Sequence, residues 1–311
     1  MPRNAAAKRL DPDAMPDRGN SYRPRTIKRN RRTKDEMEAL DQAIIAMLEE
    51  DYPQSVRHLF YRMTDPRLAA CVEKSDRGYR HVQDRCVKLR RRQRIDYNRI
   101  ADATRRGYFV NTFSSGADFV RRMAGQYRAD LWAQSDYRCE VWVESRSIAS
   151  VVQPTCEDLA VSLYPSAGFA SLSFLFDVAE SINADDDGRP LIVFYIGDFD
   201  PAGVLIDKKI EEELRGHLRP EIDMRFERLG ITREQIRIYN LPTKPRKLGD
   251  KRSPEIDFTV EAEAMPARTL RRLLRDRIEE LLPERALEVA RVAEQSEREG
   301  LRALAAIYEA R

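Results

Sequence analysis

A predicted strand that ends on two aspartates constrains this chain more than any other feature of its sequence. The apolar run Leu191–Ile196 is rich in β-branched and aromatic residues, which is typical of a buried strand. It stops at Gly197, and Asp198 and Asp200 follow one residue apart. Alternation along an extended chain puts both carboxylates on the same side. Because they repel each other, the pair predicts a hard divalent cation, Mg²⁺ or alternatively Mn²⁺.

A third carboxylate follows an earlier predicted strand. The segment Cys139–Glu144 has strand character and ends on Glu144. A helix is predicted from Ile148 and is expected to end or be interrupted near Pro154. Ligands gather at the carboxyl ends of parallel strands in open α/β sheets. We therefore expect Glu144 and the aspartate pair to converge.

A purely structural role for the aspartates is the alternative. Asp198 and Asp200 form a turn with Pro201 in this interpretation, and they cap a helix predicted over Gly203–Leu214. The sequence leaves both interpretations open.

The order of the predicted elements indicates an α/β fold. A helix that opens at Gly168–Ser173 and a polar loop over Asn183–Pro190 precede the strand that leads to the aspartates. This alternation of strands and helices predicts a mostly parallel sheet flanked by helices. The C-terminal stretch Thr269–Arg311 is amphipathic, and we expect it to pack against the sheet or a second subunit.

Composition excludes several other classes of protein. The four cysteines lack CxxC spacing and the three histidines are scattered, so neither a zinc site nor a disulfide framework is predicted. No apolar stretch approaches the roughly 20 residues that cross a bilayer, and no P-loop motif is present. We expect a cytoplasmic protein with no membrane partner and no ATPase site of its own.

Three helices are predicted in the first third of the chain. Thr33 and Glu36 form a capping box before a helix that extends to about Glu50. Ser55 is placed to cap a short second helix, and a third helix begins near Ser75. Three such helices predict a winged helix-turn-helix domain.

The domain boundaries follow from these elements. Residues 1–32 are charged and lack periodic apolar positions, which predicts a disordered basic arm. We assign 33–115 to the winged-helix domain, with its wing over 95–110, and 116–138 to a linker. The α/β domain then occupies 139–311.

One face of the third helix is strongly basic. Because basic side chains cluster there, we expect this helix to enter the major groove of DNA. An ordinary solvated helix face is the alternative. The DNA-binding candidates on this helix are Arg77, Arg80, Lys88 and Arg91.

Two residues of the second helix lie away from its apolar stripe. Arg57 and Tyr61 are neighbours at i and i+4, roughly 110° and 150° from the centre of that stripe. Tyr61 is therefore not expected in the core.

Two groups of residues carry a family resemblance. The order of Glu144, Asp198 and Asp200 resembles the Toprim domain of topoisomerases, primases and related nucleases. The sequence Arg-His-Leu-Phe-Tyr at 57–61 resembles the motif in the A subunit of type IIB topoisomerases (topoisomerase VI) and in the related meiotic double-strand-break transesterase. The order of domains matches as well, although Phe60 replaces the commoner first tyrosine.

This resemblance implies roles for individual residues. Glu144, Asp198 and Asp200 would bind Mg²⁺, with Glu144 also a general acid or base. Tyr61 would attack DNA, and Arg57 would position the phosphate. In the family the tyrosine and the metal site come from different subunits, which implies a homodimer, and a separate ATPase subunit accompanies strand passage.

The segment after about residue 239 resembles the closing part of a bacterial and phage set of Toprim proteins. By that resemblance Lys247 and Arg252 would hold the scissile phosphate, and Glu261 or Glu263 would add a metal ligand. Ordinary loop salt bridges are the alternative for all four residues.

Three functions remain open at this point. The first is Mg²⁺-dependent DNA cleavage by transesterification, with Tyr61 as the nucleophile. The second is a hydrolytic Toprim nuclease in which water attacks and Tyr61 only binds. The third is a DNA-binding regulator whose catalytic domain is retired.

Overall fold

The computed structural model describes residues 32–101, 110–168, 170–246, 249 and 252–309. Its α-helices are α1 (Lys34–Glu50), α2 (Val56–Met63), α3 (Asp76–Arg91), α4 (Gly116–Gln126), α5 (Arg146–Asp158), α6 (Leu172–Ala184), α7 (Gly203–His217), α8 (Arg233–Ile238), α9 (Ala267–Glu279) and α10 (Ala286–Glu309). Its strands are β1 (Arg138–Val143), β2 (Ser162–Pro165), β3 (Leu191–Ile196), β4 (Met224–Gly230), β5 (Lys244–Pro245) and β6 (Phe258–Thr259). The predicted basic arm lies outside the described residues up to position 31.

The three predicted N-terminal helices are present, and side-chain caps fix where they begin. The Thr33 hydroxyl accepts from the amide of Glu36 at 3.2 Å, while the Glu36 carboxylate accepts from the Thr33 amide at 2.7 Å. Ser55 caps α2 and Ser75 caps α3 in the same way. Apolar side chains of the three helices form one core, which includes Leu40, Ile44, Leu59, Met63, Val82 and Leu89.

The predicted wing falls partly on residues 102–109, which lie outside the described residues. Before them the chain forms a 3₁₀ turn over Tyr97–Arg99, and Ile100 makes a single parallel bridge to Gln54. The winged-helix assignment of this domain therefore stays a prediction.

A buried ion pair that the sequence analysis missed joins α1 to α3. Asp41 is 1% exposed, and its two carboxylate oxygens accept from Nε and a terminal nitrogen of Arg85. Arg85 lies on the helix that also carries the basic face, but it points the other way, into the core. A buried carboxylate needs such a partner because desolvation penalises its charge.

The C-terminal half is a three-layer α/β unit, as predicted. Its main sheet is entirely parallel with strand order β2-β1-β3-β4. All six residues of β3 are buried, because α5 and α9 cover one face of the sheet and α6 and α7 cover the other.

Two segments differ from the expected secondary structure. Pro154 lies within α5 instead of ending it, because the flanking residues Val151, Val152, Thr155 and Cys156 are buried and their packing outweighs the proline's low helix propensity. The region 116–138, assigned to a linker, contains α4, which packs along α10 and is joined to it by the Arg121–Glu309 ion pair. Just after α4, Arg128 pairs with Glu294 of α10 at 2.7 Å. None of the described helices is long and apolar enough to span a membrane.

Asp41→Ala tests the buried ion pair. The substitution leaves Arg85 charged and unpaired in the core, so we expect the free energy of unfolding to fall by about 3–5 kcal/mol. Urea denaturation of the full chain measures the loss. Glu38→Gln is the control, because Glu38 pairs with Arg94 at the exposed surface and its loss is expected to change stability little.

Candidate active site

The first group of predicted site residues meets where β1 and β3 end. Glu144 directly follows β1 and Asp198 lies two residues after β3, and these strands are neighbours in the sheet. The backbone amide of Asp198 donates to Oε2 of Glu144 at 2.8 Å. We call the residues from Gly197 to Asp200 the acid turn.

Two glycines permit the close approach of Glu144 to this turn. A Cβ on Gly197 would lie 2.7 Å from Oε2 of Glu144 and 2.6 Å from the Tyr195 hydroxyl. A Cβ on Gly203 would lie 2.2 Å from the carbonyl oxygen of Asp198. Neither position therefore tolerates a side chain in this arrangement.

A later segment of the chain is fastened to the acid turn by backbone hydrogen bonds. Phe199 and Val260 exchange two of them, each at 2.8 Å. Two residues after Val260, the amide of Ala262 donates to Oδ1 of Asp198 at 2.8 Å. These contacts bring Glu261 and Glu263 to the site.

Asp200 also fulfils the structural alternative. Its Oδ1 accepts from the amides of Ala202 at 2.9 Å and Gly203 at 2.6 Å, at the start of α7. Its negative charge nevertheless acts on Glu144, whose pKa it helps to raise. Asp200 therefore both caps α7 and belongs to the acidic cluster.

The acidic side chains shift one another's proton affinities. Burial raises the pKa of Glu144, and repulsion from Asp200 adds to the effect. Burial and the charges of Glu144 and Glu263 raise the pKa of Asp198 well above its usual range. Burial likewise raises the pKa of Glu263, which is only 3% exposed. The cluster therefore holds more negative charge than its surroundings neutralise.

Arg228 is a cation that holds the backbone of the acid turn. Its guanidinium donates to the carbonyl oxygens of Gly197 at 3.2 Å and Asp198 at 2.5 Å, and it pairs with Asp207 at 2.5 Å. Its charge lowers the pKa of Glu144 but does not offset burial. Arg228 thus stabilises the backbone of the acid turn more than it neutralises the carboxylates.

The chemistry of this cluster suits a hard divalent cation. Within the described ranges no three His, Cys, Asp or Glu side chains are already spaced as a metal site. The donors are nevertheless all carboxylates, partly or fully buried and mutually repelling, which is the ligand type that Mg²⁺ and Mn²⁺ take. The buried hydroxyl of Tyr195 also lacks a hydrogen-bond partner beside Glu144. The residues that would supply ligands to a cation here are Glu144, Asp198, Asp200 and Glu263.

Glu261 belongs to a different group of side chains, around Tyr61. Its Oε1 accepts from Lys244 at 2.6 Å and its Oε2 lies 3.1 Å from Nε of Arg57. The Tyr61 hydroxyl is hydrogen-bonded to the same carboxylate, and Lys244 donates to that hydroxyl at 3.2 Å. Of the two extra metal-ligand candidates, only Glu263 therefore faces the acidic cluster.

The expectation that Tyr61 lies outside the core was wrong. The residue is 6% exposed and belongs to the N-terminal hydrophobic cluster. It does point away from the stripe of α2 that holds Leu59 and Met63, but Lys244 and Glu261 of the C-terminal half cover it. Burial, with Glu261 adding to it, raises the pKa of Tyr61 above its ordinary value.

Contacts between the two halves fix α2 against the sheet domain. Ser147, at the start of α5, donates to the hydroxyl of Ser55 at 2.8 Å. Arg271 of α9 pairs with Asp51 and donates to the carbonyl of Pro53 at 2.7 Å. The loop before α2 is thus held by hydrogen bonds from two helices of the other half.

His58 is unsuited to acid–base work at neutral pH. It lies fully inside this junction, and its Nδ1 is 2.9 Å from the hydroxyl of Ser55. Burial, with the charge of Arg271, lowers the pKa of His58 to about 3, so the ring is neutral.

The remaining predicted DNA-binding residues lie elsewhere on the surface. The four candidates on α3 are all exposed, namely Arg77, Arg80, Lys88 and Arg91. Arg252 is also exposed, and its carbonyl accepts from Arg246 at 2.7 Å. Lys247 lies outside the described residues.

Sequence reasoning missed two lysines at the tyrosine. Lys244 contacts the hydroxyl, and the ammonium of Lys74 lies 5.4 Å from the centre of the Tyr61 ring. Neither lies in a motif. Lys74 belongs to the same half as Tyr61, whereas Lys244 reaches it across the junction of the two halves.

Comparison of the chain with protein families, with curated proteins and with solved structures found no match in any of the three. The arguments about function therefore depend on the geometry of the site itself.

Asp198→Asn tests the electrostatics of the acidic cluster. Because the pKa of Asp198 is raised in the folded protein, its carboxyl group contributes fully to stability below the pKa that it has in the unfolded chain, near 4. That contribution is lost as pH rises through the pKa of the folded protein. Asparagine cannot ionise, so the variant avoids this loss of stability. With a chelator present at pH 8, we expect its Tm in thermal unfolding to exceed that of the unaltered protein by about 2–4 °C.

Divalent cation gives the second half of this test. Mg²⁺ or Mn²⁺ is expected to raise the Tm of the unaltered protein more at pH 8 than at pH 5, and to raise that of Asp198→Asn little. Asp177→Asn on the exposed face of α6 is the control and should respond to cation as the unaltered protein does. An equal cation response in Asp198→Asn would contradict a cation site at the acid turn.

Proposed function

We propose that this protein is a divalent-metal-dependent DNA-cleaving transesterase, with Tyr61 as the nucleophile and Mg²⁺ held by Glu144, Asp198 and Asp200. The supporting observation is that one short segment of the chain contacts both parts of such a site, the tyrosine and the acidic cluster. Glu261 bonds to the Tyr61 hydroxyl, while the amide of Ala262 bonds to Asp198. A cation-rich tyrosine and an acidic cluster are therefore neighbours across a single turn.

The residues around Tyr61 suit attack on a phosphodiester. In the proposed step the tyrosyl oxygen bonds to phosphorus and the bond from phosphorus to the sugar oxygen breaks. The tyrosyl proton passes to Glu261, to which the hydroxyl is already hydrogen-bonded. Arg57 and Lys244 balance the charge that develops on the phosphate oxygens.

The acidic cluster serves the leaving group in this proposal. A bound divalent cation supplies electrostatic stabilisation of the departing oxygen. Burial raises the pKa of Glu144, which favours its protonated form, so Glu144 can give the leaving sugar oxygen its proton. Arg228 holds the acid turn in place through its backbone carbonyls.

Hydrolysis is the second candidate function, and the burial of Tyr61 favours it. A nucleophilic tyrosine must lose its proton, and a raised pKa opposes that loss. In a hydrolytic nuclease the same carboxylates would serve an attacking water, and Tyr61 would only bind the phosphate through its hydroxyl. A DNA-binding regulator without catalytic activity is the third candidate. The change in Tm on adding divalent cation, described above for the acid turn, tests this candidate directly.

DNA is the proposed partner in each case, through the exposed basic face of α3 and the tyrosine site. Both proposed catalytic groups lie in one chain, so cleavage in this form does not require a homodimer. A homodimer would make paired cuts in the two strands of a duplex. A separate ATPase subunit would be needed only for complete strand passage.

Tyr61→Phe separates the first two functions. Incubation with supercoiled plasmid and Mg²⁺ or Mn²⁺, followed by denaturation, should leave protein linked to 5′ ends in the unaltered protein and none in the variant. We expect the cleavage rate to fall by at least about 10³-fold, since the nucleophile is gone.

The chemical form of the cut DNA ends distinguishes transesterification from hydrolysis. Free 5′-phosphate ends with near-normal rates in Tyr61→Phe would establish hydrolysis instead. Tyr79→Phe is the matched control, because Tyr79 lines the same cavity at the start of α3 but does not contact Glu261. It should retain protein-linked ends.

A further inference from the structure

A small cavity of about 170 Å³ opens beside Tyr61 at the junction of the two halves. Its wall combines aromatic rings with an excess of positive charge. The residues that matter for its chemistry are Arg57, Tyr61, Lys74, Lys244 and Glu261. Three of these carry a positive charge and Glu261 is acidic.

Glu261 occupies the position that an external anion would take in this cavity. Lys244 contacts one of its oxygens at 2.6 Å and Arg57 lies 3.1 Å from the other, while the Tyr61 hydroxyl bonds to the same group. Two cations and a hydroxyl around one oxyanion is the donor set that proteins use for phosphate.

The cations outnumber the charge that Glu261 supplies. Lys74 lies near enough for Glu261 to act on it, yet its pKa is lowered by burial and by the charge of Lys244. Lys74 meets only the carbonyl of Pro242 among its hydrogen-bond contacts within the described residues, at 3.3 Å. A second negative charge in the cavity would therefore be stabilised.

We propose that this cavity is a phosphate site for a DNA strand, formed by Arg57, Lys74 and Lys244, in which Glu261 is an intramolecular competitor that a phosphodiester displaces. The inference rests on the proposed function, because it places the phosphate beside Tyr61. Displacement takes both cations away from Glu261 while leaving the carboxylate near the tyrosyl hydroxyl.

Binding without cleavage tests the proposal. The full chain is titrated with a short DNA duplex in chelator, so that no metal-dependent reaction occurs, and the affinity is followed by fluorescence anisotropy. Glu261→Gln removes the competing charge but keeps an oxygen for Lys244, and we expect about five- to tenfold tighter binding. A second titration uses inorganic phosphate, which should also bind the variant more tightly.

Lys244→Gln gives an independent measurement on the same site. It should weaken duplex binding and reduce the slope of log affinity against log salt by about 0.9, the effect of one lost phosphate contact. Glu227→Gln is the matched control for Glu261→Gln, because it removes one charge from an arginine ion pair of 2.7 Å at β4, outside the cavity. It should bind as the unaltered protein does.

Two results would overturn the proposal. One is duplex binding by Glu261→Gln no tighter than that of Glu227→Gln, and the other is tighter binding of inorganic phosphate with unchanged duplex affinity. Both readouts are independent of catalysis. Loss of the covalent product expected of Tyr61 would refute transesterification and leave these binding results standing.

Discussion

The pair of backbone hydrogen bonds between Phe199 and Val260 is the interaction on which the candidate site depends. It joins the turn after the central strand to a segment some sixty positions later in the chain, and the bond from the Ala262 amide to Asp198 extends the attachment. Backbone bonds of this kind do not depend on which side chains flank them. The glutamates on either side of Ala262 are therefore held in fixed positions whatever charge the surrounding residues carry.

Those two glutamates show how environment assigns different chemistry to the same side chain. Lys244 and Arg57 contact Glu261 and lower its pKa, whereas burial raises the pKa of Glu263 although Arg57 opposes the shift. A separation of two residues across a 3₁₀ turn is enough to give the two carboxyl groups opposite pKa shifts. The proposed function assigns phosphate to the first glutamate's side of this turn and metal to the second's, and the same turn fixes the spacing between them.

Local patterns predicted much of the fold, and long-range contacts account for what they missed. The capping box at Thr33 and the strand Leu191–Ile196 are encoded in a few neighbouring residues, so both were predicted correctly. Asp41 and its arginine partner are 44 positions apart, and Lys244 reaches Tyr61 across 183 positions. No periodicity carries that information. The burial of Tyr61 was missed for the same reason, because the side chains that cover it come from the other half of the chain.

The strand order has a consequence for how this protein can change over evolution. Glu144 and the acid turn extend from β1 and β3, which are the two inner strands, while β2 and β4 form the margins of the sheet. An inner strand is held by neighbours on both sides, but β4 also carries Arg228, which donates to the carbonyls of Gly197 and Asp198. Insertions, shortening or recruitment of a strand from another protein at β2 would leave the carboxylates in register, whereas the same changes at β4 would disturb the acid turn. The β2 margin is therefore where lineages of such a protein are free to diverge.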